Sequence, residues 1–167
     1  MKLFFYDTQK GHKRADTERM IKSALDEYIS KEHLIPFDGV IKRTRLGKPY
    51  IDYPLFIGVT HTDTSLIIAV SQNGIGIDCE SADRKVMRYE SIMKKYFCEN
   101  EIKAVKDSSC PHTAFLDTWV KKEAYVKYTG EGISAMSRYD TTLLQGFQKV
   151  QNDRNLIIYI YKEQKHE

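Results

Sequence analysis

Long apolar runs are missing from this chain. No stretch approaches the roughly 20 residues that a membrane-spanning helix needs. The apolar opening, Met1 to Asp7, is too short for a secretory signal. Charge of one sign is missing too. Twenty-six basic residues face 23 acidic ones, for a net charge of +3. That balance argues against a nucleic-acid binder, while a local basic patch for a phosphate ligand stays compatible with it. Cysteine is sparse: Cys79, Cys98 and Cys110 are odd in number and show no CxxC spacing. A disulfide framework and a thiolate zinc site are therefore both disfavoured. Low-complexity tracts and short-period repeats are absent. The expectation is a soluble, cytoplasmic protein with neither a membrane nor a nucleic acid as partner.

What is present fits a folded enzyme-sized domain. The 167 residues are 41% hydrophobic and 29% charged, which excludes a disordered chain and suffices for a real core, as one domain or two small lobes. Lys2 to Tyr6 reads as a strand. Asp16 is placed to cap a helix whose apolar positions are Met20, Ile21, Ala24, Leu25, Tyr28 and Ile29. Loops and turns follow, including Leu46-Gly-Lys-Pro49. Leu55 to Val59 and Ser65 to Ser71 read as paired strands. Asn73-Gly74 is a hairpin signal leading into a strand over Ile75 to Glu80. Helical spacing then marks Val86 to Phe97, a short segment from Glu99, and His112 to Tyr128, ending at Gly130 as a left-handed cap. Thr141 to Val150 and Leu156 to Tyr161 are β-like. This order predicts an α+β fold, with lobes of residues 1–73 and 74–167.

Chemistry concentrates in two segments. Read as a strand, Gly74-Ile-Gly-Ile-Asp-Cys-Glu80 turns Asp78 and Glu80 to one face. Two carboxylates there either attract a hard cation such as Mg²⁺ or form a wet acidic face. Read as a helix, residues 115–127 place Glu123 and Lys127 in the middle of an apolar stripe with Phe115, Trp119 and Val120. Partly buried charges cost several kcal/mol unless paired or ion-bound. The bland alternative is an i, i+4 surface pair worth about 0.3 kcal/mol. His61 and Thr60 follow an apolar strand, where a ligand-binding histidine and a structural one are equally ordinary. Lys48 sits on a tight turn, either against a phosphate or in solvent. The cluster Lys10, His12, Lys13, Arg14 and Arg19 opens a helix, and could hold a terminal phosphate or simply be solvated. Together these groups suit a pyrophosphate bound to Mg²⁺.

Gly76-Ile-Asp-Cys-Glu80, then Trp119-x-x-Lys-Glu-Ala-x-x-Lys127 and Gly130-x-Gly132, resembles the 4′-phosphopantetheinyl transferases, in particular the longer, Sfp-like group. Gly47-Lys-Pro49, Val59-Thr-His-Thr62 and Phe97-Cys-Glu-Asn-Glu101 fit in order. The resemblance implies two similar α/β lobes in one chain, related by a pseudo-twofold axis, and a monomer. It implies transfer of the phosphopantetheine arm of coenzyme A to a serine of an apo acyl or peptidyl carrier protein. By position, Asp78, Glu80 and Glu123 would be the Mg²⁺ (or Mn²⁺) ligands. Lys127 would act on the departing bisphosphate, and Glu101 would bind metal or deprotonate the serine. Coenzyme A would contact Lys48, His61 and Thr60, with Lys13 and Arg14 as candidates for its terminal phosphate. Cys98 and Thr60 stand where the group usually has serine, and the chain is short for the group. The rival readings are a Mg²⁺-dependent phosphohydrolase or nuclease and a non-catalytic binding domain of the same fold.

Overall fold

A computed structural model describes residues 1–9, 11 and 13–163. Lys10 and His12 of the basic cluster lie outside the described residues. The chain divides into two compact units, Met1–Ile75 and Gly76–Glu167. Helices and strands are mixed in both, as the α+β expectation requires. Among the described residues no helix is long and apolar enough to cross a membrane.

In the first unit, β1 (Lys2–Asp7), β4 (Phe56–His61) and β5 (Ser65–Ser71) form an antiparallel sheet in the order β1-β5-β4. Central β5 is buried along its whole length. Leu66, Ile68 and Val70 on one face pack with Ile21, Ala24, Leu25 and Tyr28 of α1 (Arg14–Lys31). This is the apolar helical face read from the sequence. Asp16 is not the cap of α1: Lys13 holds that position, and Asp16, three residues on, accepts from the Lys13 N–H at 3.3 Å. The loop region also holds a short hairpin, β2 (Lys42–Arg43) with β3 (Pro49–Tyr50). Thr60 and His61 end β4 instead of starting its turn.

In the second unit, β6 (Gly76–Ser81), β7 (Phe147–Lys149) and β8 (Leu156–Tyr161) form an antiparallel sheet in the order β6-β8-β7. Asn73-Gly74 therefore makes no hairpin, because β6 pairs with the distant β8 and not with β5. The helices are α2 (Tyr89–Tyr96), α3 (Glu99–Lys106) and α4 (Pro111–Thr129). α2 starts later than its apolar spacing suggests, since Arg88 takes a left-handed backbone (φ 57°) just before it. α4 begins on Pro111, where a missing N–H costs nothing, and stops at Gly130 (φ 78°). Residues 141–146 are not strand, and a 3-10 helix, Ile133–Arg138, was unforeseen. The core joins Phe115, Leu116, Val120 and Ala124 of α4 to Ile157, Tyr159 and Tyr161 of β8, and to Met93, Phe97 and Val105.

Candidate active site

Strand register decides where the carboxylates point. Gly76, Asp78 and Glu80 sit opposite Tyr161, Tyr159 and Ile157. Directly paired residues share a sheet face, and those three pack in the same core as α4. Asp78 and Glu80 are thus on the covered face of the sheet. Asp78 is only 5% exposed. Lys127 Nζ lies 2.6 Å from Asp78 Oδ1 and 3.9 Å from Glu123 Oε2. The strand and the helix, far apart in sequence, present two carboxylates to one ammonium. Glu80 is turned differently: Oε1 accepts from the Ser81 N–H at 2.9 Å and Oε2 pairs with Arg84.

The electrostatics follow from burial and crowding. Burial first, then the negative charge of Asp78, pushes the Glu123 carboxyl up from 4.5 to about 7; Lys127 opposes this and Glu80 adds to it. Burial alone would lower Lys127, but Asp78 and Glu123 outweigh it and raise its proton affinity. A carboxyl raised on folding favours the folded state while protonated. Its contribution is complete below about pH 4.5 and is lost as pH rises through about 7. The shift corresponds to about 3 kcal/mol at most. In chelator-treated protein, melting curves are expected to fall more steeply from pH 5 to pH 8 in wild type than in Glu123→Gln. Parallel curves for the two would show that Glu123 is not held this way.

A second ion pair lies deeper. Glu101 and Lys122 are 0% and 1% exposed. Lys122 Nζ donates to Glu101 Oε2 at 2.6 Å and to the Tyr139 carbonyl at 2.5 Å. Glu101 also accepts from the Cys98 N–H (2.7 Å), the Thr141 N–H (2.9 Å) and the Thr141 hydroxyl (2.6 Å). Cys98 is the N-cap residue of α3, and Glu101 supplies the glutamate half of a capping box there. Sequence reasoning gave Lys122 no role. A lysine beside an apolar stripe defaults to solvent; its only signal was its place in Trp119-x-x-Lys122.

The remaining expected residues are all on the first unit. Thr60 is buried and His61 exposed at the end of β4. Lys48 is in the β2–β3 turn, where burial lowers the proton affinity of its amine. Arg43, also unforeseen, donates to the Gly47 carbonyl at 2.9 Å and pairs with Glu18 at 3.5 Å. Glu18 is paired in turn with Arg14 at 3.2 Å. Arg43 thereby ties the turn bearing Lys48 to the start of α1, where Arg14 and the capping Lys13 lie.

Among the described residues, no three His, Cys, Asp or Glu side chains are drawn up around one point that could hold an ion. The donor set still suits one. Asp78 and Glu123 are adjacent, Glu80 adds to the charge felt by Glu123, and that charge raises a proton affinity that a divalent cation would lower. All are oxygen donors, as Mg²⁺ prefers.

A carboxylate on a strand is thus met by a glutamate and a lysine one helical turn apart. The family model of the 4′-phosphopantetheinyl transferase superfamily matches residues 74–166, more than half of the chain, and the chain belongs to that superfamily. It is 27% identical over 120 residues to the 4′-phosphopantetheinyl transferase gsp of Aneurinibacillus migulanus, covering 67% of this chain and 49% of that protein. It is 27% identical over 144 residues to the 4′-phosphopantetheinyl transferase HetI of a Nostoc species, covering 83% and 60%. The L-aminoadipate-semialdehyde dehydrogenase-phosphopantetheinyl transferase of Saccharomyces cerevisiae is 32% identical over 98 residues, covering 53% and 36%. The matches thus span between about a third and three fifths of these relatives' own length.

Proposed function

We propose that this chain moves the 4′-phosphopantetheine arm of coenzyme A onto a serine of an apo acyl or peptidyl carrier protein and releases adenosine 3′,5′-bisphosphate. The observation that carries this reading is the meeting of Asp78 and Glu123 at Lys127, in a chain whose superfamily is one of phosphopantetheinyl transferases. The division of the chain, with a three-stranded antiparallel sheet and a long helix in each unit, supports a reading of the units as the family's two similar lobes.

Asp78, Glu80 and Glu123 would hold Mg²⁺ or Mn²⁺, with Glu80 leaving Arg84 to do so. Bound there, the ion would supply positive charge to the pyrophosphate. The carrier serine oxygen attacks the β-phosphorus and gives up its proton to water, and the bond from that phosphorus to the bridging oxygen breaks, leaving that oxygen on the bisphosphate. Lys127 places a persistent ammonium beside the departing bisphosphate and stabilises its charge. Lys48, His61, Thr60, Lys13 and Arg14 bind the phosphates of coenzyme A. Glu101, which the resemblance makes a candidate base, would first have to give up Lys122 or Thr141. Incubation with coenzyme A, Mg²⁺ and a panel of apo carriers, read by intact mass, tests the proposal. A carrier gaining one phosphopantetheine is the expected result. Coenzyme A cleaved with every carrier unmodified would make the chain a hydrolase.

Carrier proteins of this class are acidic, which calls for a basic docking face. Lys85, Arg88, Lys94 and Lys95 are exposed on α2 and the turn before it, and Met87 beside them is 87% exposed. Reversing Lys94 and Lys95 to glutamate is expected to raise the carrier KM about tenfold at low salt, with the gap closing as salt is added. A salt-independent KM equal to wild type would place docking elsewhere.

A further inference from the structure

We propose that Glu101 and Lys122 are positioning residues, whose buried pair fixes the rotation of α4 and so sets Glu123 and Lys127 against Asp78. The inference rests on the phosphopantetheinyl-transfer reading above and assigns these two residues a role without contact to substrate.

The geometry points this way for three reasons. First, the pair joins three segments at one point. Lys122 comes from α4, Glu101 from the first turn of α3, and Tyr139 and Thr141 from the segment after the 3-10 helix. A helix pinned by a buried ammonium to two other elements cannot turn about its axis without breaking charge-assisted hydrogen bonds. Second, Lys122 precedes Glu123 directly. A rotation of α4 that moved Lys122 off Glu101 would carry Glu123 and Lys127 away from Asp78 by the same angle. The 2.6 Å contact of Lys127 with Asp78 leaves little slack for that. Third, both Glu101 oxygens are engaged by protein donors and the residue is fully enclosed. It serves the site through Lys122 and through α3, not by meeting a serine hydroxyl.

The pair is also an expensive way to hold a helix. Apolar residues of similar volume often give equal or greater stability in place of a buried ion pair, so stability alone does not account for it. Directional bonds that fix one orientation do. Partners that orient the ligands of a metal site in this manner typically matter 10–100-fold for ion affinity or activity.

The test pairs Glu101→Gln with Lys122→Met in one chain, which avoids leaving a lone buried charge. Thr141→Val, which removes one donor to Glu101 and no charge, is the second variant in case the first does not fold. Two quantities are read for each folded variant: binding of Mn²⁺ with coenzyme A by calorimetry, and the pH profile of kcat/KM for arm transfer. The expected result is a fall of roughly 10–100-fold in Mn²⁺ affinity and in kcat for the paired variant, and a smaller fall in both for Thr141→Val. The acidic limb of the pH profile is expected to keep its wild-type midpoint. A paired variant with wild-type Mn²⁺ affinity and kcat overturns the positioning role. Loss of the acidic limb with Mn²⁺ affinity unchanged also overturns it, and makes Glu101 the base. A wild-type protein that binds Mn²⁺ and coenzyme A but modifies no carrier removes the functional reading and takes this proposal with it.

Discussion

Asp78→Ala is expected to reduce arm transfer on the order of a thousandfold or more while the protein stays folded. Asp78 is the best placed of the carboxylates to hold an ion. It is nearly enclosed, it faces α4, and it adjoins Glu123 through Lys127. Its loss takes away one of the two adjacent carboxylates proposed to hold the ion, and the acceptor that orients Lys127. Stability should change by only about 1 kcal/mol, because Lys127 is 36% exposed and can swing to water. The proton affinity of Glu123 should also fall, since the charge of Asp78 is a main cause of its rise. Intact-mass assay of carrier modification and a melting curve measure the two quantities together. Wild-type transfer by a folded Asp78→Ala chain would end the metal assignment. Asp78→Asn separates charge from shape. It keeps an oxygen for Lys127 but lacks the negative charge, and should be nearly as inactive.

Alternation was enough to foresee that Asp78 and Glu80 share a face, because a strand has only two faces, but not that α4 covers that face. Helical spacing foresaw Glu123 and Lys127 on one side of α4, but the contact of Lys127 with Asp78 is tertiary and had no signal in the sequence. Glu80 shows the limit of that logic. Alternation gives it a face but not a partner, and Arg84, four residues on in the turn after β6, takes its carboxylate. Lys122 shows a different limit. A single amphipathic stripe assumes one buried side, but α4 is covered by β6 and β8 on one side and by α3 and the 3-10 helix on others. Its second buried face is therefore visible only once those neighbours are placed. Arg43 was illegible in part for the same reason: Gly47 is local, in the turn of the same hairpin, but Glu18 of α1 is brought near only by the tertiary fold.

The errors in the fold have local causes. Asn73-Gly74 carries strong hairpin chemistry, but a turn signal cannot say that the next strand will pair with β8, more than seventy residues on. Asp16 looked like a helix cap because aspartate prefers that position; the chain enters α1 earlier and uses the side chain from inside the first turn. Of Thr141 to Val150, read as strand, Phe147–Lys149 is one, whereas Thr141 and Thr142 bond to Glu101 and Asp140. Side-chain hydrogen bonds of this kind compete with a sheet ladder.

Gly76→Ala is expected to be the most damaging small change in the second unit. A Cβ at Gly76 would lie 1.9 Å from the Ala124 carbonyl oxygen, 2.6 Å from the Tyr128 nitrogen and 2.8 Å from the Tyr128 Cβ. Two of these are backbone atoms of α4, so no change of rotamer relieves the clash. The helix itself must move off β6 by more than 1 Å to restore ordinary contact. Overpacking of this kind costs about 3 kcal/mol, which lowers the melting temperature by roughly 10–20 °C for a unit of this size. The site suffers separately. Asp78 stands two residues from Gly76 on the same strand face, and Lys127 directly precedes Tyr128. A helix displaced at Tyr128 lengthens the Asp78–Lys127 contact, and a misplacement of about 1 Å is enough to cost on the order of 100-fold in rate. Melting curves and carrier modification at a temperature where the variant is still folded measure the two effects independently. A Gly76→Ala chain that melts with wild type and modifies carriers at the wild-type rate would mean that α4 does not approach β6 this closely. The placement of Lys127 on Asp78 would then be lost as well.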